Sequence, residues 1–246
     1  MTTLSTTTSS NFGDLRDGTL QGWKFKAVQR IFRISLRLAL GYRVHGQALV
    51  PTDSPFLLVA NHLHNLDPVL AAISCPRSAH FMAKRELFSI PVIGSAIRLV
   101  GAFPVDRGRA DRSAIRRARA TLDQGIALGM FPEGTRSKTG GLKHGLPGAG
   151  LIAIQSGVPI IPMAITGSDR LPGNGAWNKR GRFRRGVDVR MGTPFHLEPP
   201  ADGSRLTADA ATDQIMRSLA ALLPEDYRGM YGDERPGDPA DAAASS

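Results

Sequence analysis

The chain of 246 residues contains a single cysteine, Cys75, and therefore cannot form an internal disulfide. It also lacks paired cysteines, the HExxH pattern and an Asp-rich calcium loop, so we expect no metal site. Neither GxGxxG nor GxxxxGK(S/T) occurs, and nucleotide binding therefore has no motif support. These absences predict a protein without a metal or a resident cofactor.

Long apolar runs are also missing from the sequence. No stretch of 18 or more apolar residues exists, and residues 151–166, which come closest, are broken by Pro159 and Pro162. A membrane-spanning helix is therefore not expected. Met1–Ser10 has neither the basic nor the apolar region of a secretory signal. Together with the lack of disulfides, this predicts a peripheral protein at the cytoplasmic face of the cell membrane.

The charge of the chain is strongly unbalanced, with 31 Lys and Arg against 21 Asp and Glu and a net charge of +10 at pH 7. The excess lies in blocks: six arginines fall in 107–119, and six Lys or Arg fall in 179–190. Such blocks favour a membrane surface, a nucleic acid or an acidic protein as partner. Aromatic residues make up only 6% of the chain and are not interleaved with the arginines as in single-strand binding. We therefore expect an anionic membrane surface as partner and no nucleic acid.

Residues 22–40 predict a basic amphipathic helix. Its basic side chains recur at intervals of four, three and four residues, which places them on one helical face beside an apolar face. The basic face holds Lys26, Arg30, Arg33 and Arg37, and the apolar face holds Phe25, Val28, Phe32 and Leu36, widened by Ile31, Ile34 and Leu38. We expect this helix to lie in an anionic bilayer interface. The alternative is that the apolar face packs on the domain and leaves the arginines in solvent.

Short apolar runs alternate with helical patterns, which predicts a single α/β domain with a mainly parallel or mixed central sheet and helices on both faces. The predicted strands are Phe56–Ala60, Ala79–Ala83, Ala102–Val105, Ile126–Phe131, Pro159–Ile165 and Val187–Met191. The predicted helices are Ala110–Gln124, Gly148–Gln155 and Ala208–Leu222, with a further helix from Pro68. We expect the domain to span 22–224, between a disordered segment 1–21 and a disordered tail 225–246.

Residues of catalytic type follow the apolar run Phe56–Ala60. His62 is a candidate general base, because neutral imidazole accepts a proton near pH 7. Asp67 is the candidate carboxylate that would fix the imidazole tautomer and stabilise the imidazolium. Five residues along one helix would separate the two side chains by ~140° at ~100° per residue, so the pair favours a turn. Asp67 followed by Pro68 is also typical of a helix start with Asp67 as its cap.

Two alternatives to this pair stay open. In the first, Asp67 serves only as a helix cap and His62 is an ordinary loop residue. In the second, the base is His64, which would point the same way as His62 in an extended segment. No GxSxG elbow is present, and Cys75 has the pattern of a small core residue. A base without a protein nucleophile indicates that the nucleophile is a hydroxyl of the substrate.

Cationic residues follow three further apolar segments. Lys84 and Arg107 each follow a predicted strand, and Glu133–Arg136 offers a small residue, a hydroxyl and a guanidinium after another. Arg binds phosphate through two parallel hydrogen bonds, and Lys binds it as a point charge. A solvated charge at a strand end is the alternative for each segment taken singly. Clusters at four successive strand ends together predict an anionic substrate.

These segments resemble, in the same order, the four blocks of the glycerolipid acyltransferase family, the group typified by 1-acylglycerol-3-phosphate acyltransferase. Asn61–Asp67 resembles the His-x4-Asp block, and Gly101–Arg107 resembles the second block. Phe131–Arg136 is the third block, Phe-Pro-Glu-Gly-Thr-Arg, without a change, and Val158–Gly167 resembles the fourth. The blocks fall within 56–167, so the resemblance covers the centre of the predicted domain.

The resemblance implies transfer of a fatty acyl group from a thioester to the free sn-2 hydroxyl of 1-acyl-glycerol 3-phosphate, giving phosphatidic acid. His62 would deprotonate that hydroxyl and Asp67 would orient His62, without a covalent acyl-enzyme. The glycerol phosphate would be held by Glu133, Gly134, Thr135 and Arg136, assisted by Lys84 and Arg107. Backbone N–H groups at the His62 and Gly134 turns are candidates for binding the oxyanion.

The acyl donor implied by the resemblance is acyl-CoA or acyl-acyl carrier protein, so an acyl carrier protein is an expected partner and no cofactor is needed. One departure from the family pattern is His64, where the family often has serine or another small polar residue. This departure affects the surroundings of His62 rather than the reaction class. One alternative function is a sibling acyltransferase acting on glycerol 3-phosphate or another lysolipid. A second is a non-enzymatic basic module that binds membrane or nucleic acid.

Overall fold

A computed structural model describes residues 22–89, 102–105, 112–171 and 186–232. The helices are α1 (Gly22–Leu40), α2 (Asp67–Ser74), α3 (Arg112–Asp123), α4 (Gly148–Ser156), α5 (Ala208–Leu222) and α6 (Glu225–Arg228). The strands are β1 (Arg43–His45), β2 (Leu57–Ala60), β3 (Ala79–Lys84), β4 (Phe103–Val105), β5 (Ala127–Met130), β6 (Ile160–Thr166) and β7 (Asp188–Met191).

The seven strands form one mixed sheet in the order β1-β7-β6-β2-β5-β3-β4. Five neighbouring strands, β6, β2, β5, β3 and β4, are parallel to one another. β7 is antiparallel to β6 and parallel to β1. The carboxyl ends of five strands therefore meet at one edge of the sheet, together with the amino ends of β1 and β7. We call this edge the carboxyl edge.

Both faces of the sheet are covered by helices. This explains why the sequence of β2 is apolar throughout. Successive strand residues point to opposite faces. Leu57 and Val59 pack in a cluster with α3, α4 and α5, whereas Leu58 and Ala60 pack in a second cluster with α2 and the inner side of α1. All four side chains are fully buried. A continuous apolar run is the pattern expected of a parallel strand buried on both faces.

The predicted single α/β domain with a mixed sheet is confirmed. All six predicted strands and the predicted helices occur, and the bounds within the described ranges differ from the predicted ones by about one residue. The sequence did not indicate β1, because Arg43–His45 is only three residues long and two of its side chains are exposed. Its place in the sheet is set by pairing with β7 rather than by its own composition.

The first helix packs on the carboxyl end of α2 through polar side chains. Gln29 donates to the carbonyls of Ala72 and Cys75 at 3.1 and 2.6 Å. Arg33 donates to the carbonyls of Ile73 and Ser74 at 2.7 and 3.2 Å. The last carbonyls of a helix have no partner within it, so these bonds satisfy them. In the described ranges, every helix is too short or too polar to cross a bilayer.

The predicted start of a disordered tail at residue 225 is wrong for the residues that the structure describes. α6 is followed by a short turn, Gly229–Tyr231, and Tyr227 is only 3% exposed. The carbonyl of Tyr227 accepts a hydrogen bond from the N–H of Leu142 at 3.0 Å. The domain therefore continues through residue 232. The predicted disordered segment 1–21 and residues 233–246 lie outside the described residues.

Candidate active site

The site lies at the carboxyl edge, where the chain leaves β2 and β5. The two strands are parallel neighbours, with Val59 in register with Met130. Asn61 fixes the exit of β2, since its side-chain amide donates to the carbonyl of Ile165 at 2.8 Å and its side-chain oxygen accepts from the N–H of Ile165 at 2.7 Å. The side chain of Asn61 thus makes the two hydrogen bonds to Ile165 that the backbone of a further strand residue would make. The chain then turns away from the sheet.

His62 and Asp67 face each other across a tight turn. Nδ1 of His62 lies 3.0 Å from Oδ2 of Asp67. The same oxygen accepts hydrogen bonds from the N–H groups of Leu63 and His64, both at 2.5 Å. Asp67 is fully buried and His62 is 6% exposed. Three hydrogen bonds to one oxygen fix the carboxylate relative to the imidazole ring.

The contact with Asp67 determines which nitrogen of His62 carries the proton. A carboxylate only accepts hydrogen bonds, so in the neutral ring Nδ1 is protonated and Nε2 carries the lone pair. Nε2 is therefore the atom that can take a proton from a hydroxyl. The pair lies on a turn, as the residue spacing predicted.

The prediction that Asp67 caps the following helix is wrong. α2 begins at Asp67 itself, and its N-cap residue, Leu66, makes no side-chain hydrogen bond to the helix. The carboxylate turns back to the preceding loop instead, where it binds the imidazole of His62 and two backbone N–H groups. Asp67 therefore belongs to the His62 turn rather than to the helix end.

His64 is held in a different tautomer. Its Nδ1 accepts a hydrogen bond from the N–H of Leu66 at 3.1 Å, so in the neutral ring the proton lies on Nε2. The backbone of His64 contacts Asp67 through its N–H, which donates to Oδ2, and through its carbonyl, which accepts from the N–H of Asp67 at 3.0 Å. The geometry therefore favours His62 over His64 as the proton acceptor.

The turn after β5, Phe131–Arg136, holds the backbone of His62. Oε1 of Glu133 accepts from the N–H of His62 at 2.8 Å, and Oε2 accepts from the N–H of Lys143 at 3.2 Å. The carbonyl of His62 accepts from the N–H of Ser137 at 2.7 Å. Burial raises the pKa of the Glu133 carboxyl to about 7. The two recognised blocks are thus hydrogen-bonded into one unit.

Phe131 and Gly134 shape this turn. The ring of Phe131 stacks on that of His62, with centroids 4.4 Å apart and an interplanar angle of 28°. Gly134 has φ of 68°, and its N–H donates to the carbonyl of Phe131 at 3.0 Å. A Cβ at position 134 would come within 2.4 Å of Cδ1 of Leu146. The left-handed conformation therefore favours glycine here, whereas the side chain of Leu146 is 55% exposed and could move aside.

The cationic part of the turn is more open. Thr135 is exposed and Arg136 is half-buried. Nζ of Lys143 donates to the carbonyl of Thr135 at 2.8 Å and to its Oγ1 at 2.5 Å. A second cation therefore lies beside the turn that carries Arg136.

The remaining two predicted cations lie further along the sheet. Lys84 is the last residue of β3 and is in register with Val105 of β4, so its backbone lies at the carboxyl edge. β3 is separated from β2 by β5. Arg107 lies outside the described residues. The structure thus brings His62, Asp67 and the turn after β5 together, with Lys84 two strands from β2.

Four backbone N–H groups at the two turns are hydrogen-bonded within the protein, so an oxyanion would need other N–H groups of these turns. Each of the four bonded groups stabilises one of the two turns. The N–H groups of Leu63 and His64 bind Asp67, that of His62 binds Glu133, and that of Gly134 binds the carbonyl of Phe131.

Sequence reasoning missed the roles of four residues at the site. Asn61, Phe131 and Ser137 lie within or beside the blocks that resemble the family. This position was the only sequence feature that could have indicated a role for them. Lys143 lies outside every block, and no spacing connects it with Thr135. It reaches the turn because the chain folds back after Ser137, a contact that follows from the tertiary fold.

The described residues also bear on two other kinds of chemistry, metal binding and thiol catalysis. Among the described residues, no group of three His, Cys, Asp or Glu side chains is placed to hold a metal ion. Cys75 is buried, as predicted, and burial raises the pKa of its thiol to about 11. A thiol of this kind is a poor nucleophile, because the reactive form is the thiolate.

An oriented imidazole beside a cationic turn, at the carboxyl edge of an α/β sheet, defines a site for group transfer to a substrate nucleophile. The family model described as "Acyltransferase" matches residues 41–166, which include both turns. The chain belongs to this acyltransferase family.

Relatives with known names agree with this assignment. The chain is 32% identical over 175 residues to the 1-acyl-sn-glycerol-3-phosphate acyltransferase of Bacillus subtilis (strain 168), covering 70% of this chain and 82% of that protein. It is 33% identical over 175 residues to the chloroplastic enzyme BAT2 of Brassica napus, covering 70% of this chain. The match covers 48% of BAT2, so the chain spans about half the length of that relative.

The fold is also similar to a solved structure. The crystal structure of the 1-acyl-sn-glycerophosphate (LPA) acyltransferase PlsC from Thermotoga maritima superposes with a TM-score of 0.63 and 28% sequence identity. The match covers 81% of this chain and 80% of that one. The likeness therefore extends over most of both molecules.

Proposed function

We propose that the protein transfers a fatty acyl group from a thioester to the sn-2 hydroxyl of 1-acyl-glycerol 3-phosphate, giving phosphatidic acid. The observation that carries this proposal is the contact between His62 and Asp67, which leaves Nε2 of the imidazole as a proton acceptor. The names of the relatives from B. subtilis and T. maritima support the reaction and the acceptor.

In the proposed reaction, Nε2 of His62 removes the proton of the hydroxyl as its oxygen attacks the thioester carbonyl carbon. The tetrahedral intermediate then expels the thiolate as the C–S bond breaks, and the imidazolium returns the proton to sulfur. Asp67 stabilises the imidazolium that forms between these steps. The new ester bond forms directly on the acceptor, so no acyl-enzyme arises.

Glu133 has a different role in this proposal from the substrate contact implied by the family resemblance. Its two oxygens accept from the N–H groups of His62 and Lys143, and the side chain is 4% exposed. We therefore assign it as a positioning residue that holds the base in register with the turn after β5. Substrate contact is left to Gly134, Thr135 and Arg136.

The phosphate of the acceptor would bind at Thr135 and Arg136, where a hydroxyl and a guanidinium lie next to the base. Arg136 can bind two phosphate oxygens at once. Lys84, at the end of β3, would add positive charge, as would Arg107, which follows β4 in the sequence. The donor would be acyl-CoA or acyl-acyl carrier protein, and the reaction requires no group beyond the two substrates.

Replacing Arg136 tests the choice of acceptor. We expect Arg136→Ala to raise KM for 1-acyl-glycerol 3-phosphate by about 10- to 100-fold, because a charge-assisted hydrogen bond contributes about 1.5–3 kcal/mol. The same variant should change KM for monoacylglycerol, which has no phosphate, by less than about threefold. An equal effect on both acceptors, or wild-type preference for the phosphate-free one, would favour the sibling acyltransferase.

We also propose that the protein associates with the cytoplasmic face of the cell membrane, where its acceptor lies. On the side of α1 away from α2, three large apolar side chains are exposed: Ile31 by 64%, Ile34 by 53% and Leu38 by 69%. Leu36 instead packs against the core. Leu36 thus follows the alternative of packing on the domain, whereas the exposed Ile31, Ile34 and Leu38 support contact with a membrane. A protein that stayed in solution with anionic liposomes at low salt would contradict this association.

A further inference from the structure

We propose that a groove between α1 and β1 binds the phosphate of an anionic bilayer phospholipid that is not a substrate. This inference rests on the membrane association proposed above. It adds a second lipid site, separate from the acceptor site, which would orient the protein on the membrane.

The groove is formed by two adjoining cavities beside α1. The larger, of about 560 Å3, is lined by Arg33, Arg37, Arg43, His45 and the apolar Ile34 and Val44, among others. The second, of about 500 Å3, shares Arg33 and Ile34 with the first and adds Arg30. Four arginines therefore follow one groove.

The charges in the groove favour an anion. Arg33 is engaged with the carbonyls at the end of α2, whereas Arg37 and Arg43 are exposed and can reach a ligand. Asp188 is in register with Arg43, and its Oδ2 lies 3.2 Å from Nε2 of His45, within hydrogen-bonding distance. The four arginines outnumber this carboxylate, and the exposed Arg37 and Arg43 can bind one phosphate together.

The apolar neighbours of the groove indicate a lipid as the source of that phosphate. Ile34 lines both cavities and is also one of the three exposed apolar residues of α1. A headgroup in the groove would therefore place its acyl chains along Ile31, Ile34 and Leu38. Basic residues beside an outward apolar face are the combination that binds anionic interfaces.

The groove is distinct from the acceptor site, and one end of it reaches the same edge of the sheet. Arg43 is in register with Asp188, and Asp188 with Thr166 at the carboxyl end of β6. β1 lies three strands from β2, which is about 14 Å at ~4.8 Å per strand. Arg43 therefore places one end of the groove at the edge that carries His62, whereas Arg33 lies at the carboxyl end of α2, toward the opposite edge.

The test is binding to vesicles of phosphatidylcholine alone and of phosphatidylcholine mixed with phosphatidylglycerol, measured by flotation at low ionic strength. Arg37→Gln/Arg43→Gln should lower partition onto the mixed vesicles by about tenfold or more. The matched control is Arg119→Gln/Arg205→Gln, which removes the same charge from exposed positions on α3 and before α5. The control should change partition by less than about threefold.

Equal losses in the two double variants would overturn the proposal, because net charge alone would then account for binding. No loss in the groove variant, or the same loss on phosphatidylcholine alone, would also overturn it. An unchanged midpoint of thermal unfolding in both variants shows that each is folded. Vesicle binding is measured without acyl donor or acceptor, so it does not depend on catalysis. If the groove variant binds like wild type, the groove proposal fails and the proposed acyl transfer is unaffected. If binding depends on the groove but the protein has no acyltransferase activity, only the proposed acyl transfer is refuted.

Discussion

A single oxygen, Oδ2 of Asp67, organises the proposed catalytic turn by accepting hydrogen bonds from the His62 ring and from two backbone N–H groups. The other oxygen, Oδ1, is buried and makes no hydrogen bond to the described residues. A buried acceptor without a partner costs about 1–3 kcal/mol. The turn is therefore built around the orientation of His62 at a cost in stability, as is common at functional sites.

At the same scale, Glu133 links stability to pH. Its carboxyl is buried, and its pKa is raised from 4.5 to about 7 in the folded protein. A raised pKa means that the stabilising contribution is present below pH 4.5 and is lost as pH rises through about 7. We expect the free energy of unfolding of the wild type, relative to Glu133→Gln, to fall by about 3 kcal/mol between these limits.

Denaturant unfolding of both proteins across this pH range measures the difference. A difference that stays constant, or that grows as pH rises, would show that Glu133 is not the buried carboxyl described here. Gln cannot accept from both N–H groups, so Glu133→Gln should also lower kcat more than it changes KM for the acceptor.

Residue type and spacing made His62 and Asp67 candidates, but the resemblance to the His-x4-Asp block was needed to select them over the alternatives. Residue type, spacing and resemblance were not sufficient for the function of Glu133. The family resemblance implied a substrate contact for Glu133, whereas its partners are backbone groups 71 and 10 residues away. Those partners depend on which strands become neighbours.

Among the elements, α6 shows how a segment outside the recognised blocks supports the site. The hydroxyl of Tyr227 donates to Oδ1 of Asp169 at 3.0 Å and accepts from the N–H of Gly167 at 3.3 Å. Its carbonyl accepts from the N–H of Leu142, the residue before Lys143. α6 therefore joins the end of β6 to the loop that contacts the turn after β5.

Removing the hydroxyl of Tyr227 tests this link. We expect Tyr227→Phe to lower the free energy of unfolding by about 1–3 kcal/mol, because the buried Asp169 loses a donor. Tyr231→Phe, in the half-exposed turn that follows, is the matched control and should cost less than about 0.5 kcal/mol. Equal effects in chemical denaturation would mean that α6 is held by its apolar contacts alone.

The sequence predicted most elements because strands buried on both faces are apolar throughout and helices such as α5 show a regular stripe. It failed for α6, whose composition is polar and whose order depends on the hydrogen bonds of Tyr227. It also left the orientation of α1 open. The carbonyls at the end of α2 decide that orientation, because Gln29 and Arg33 turn inward to satisfy them.

For the whole molecule, the arrangement of strands explains how distant blocks form one site. Each parallel strand ends at the carboxyl edge, so the segments that follow these strands lie on the same side. β2 and β5 are neighbours there, although the blocks that follow them lie far apart in sequence. The amino ends of β1 and β7 reach the same edge and bring Arg43, at one end of the proposed lipid groove, to it. The base and the proposed phosphate-binding turn therefore share one edge of the sheet, and the groove begins at that edge.

The most direct measurement is the rate of phosphatidic acid formation from 1-acyl-glycerol 3-phosphate and palmitoyl-CoA in detergent micelles. Wild type should be active, and His62→Ala should lose at least about 100-fold in kcat, as expected for removal of a general base. The matched variant is His64→Asn, whose side-chain oxygen can still accept from the N–H of Leu66, and it should stay within about tenfold of wild type. Wild-type activity in His62→Ala, or a large loss in His64→Asn alone, would contradict the assignment of His62 as the base.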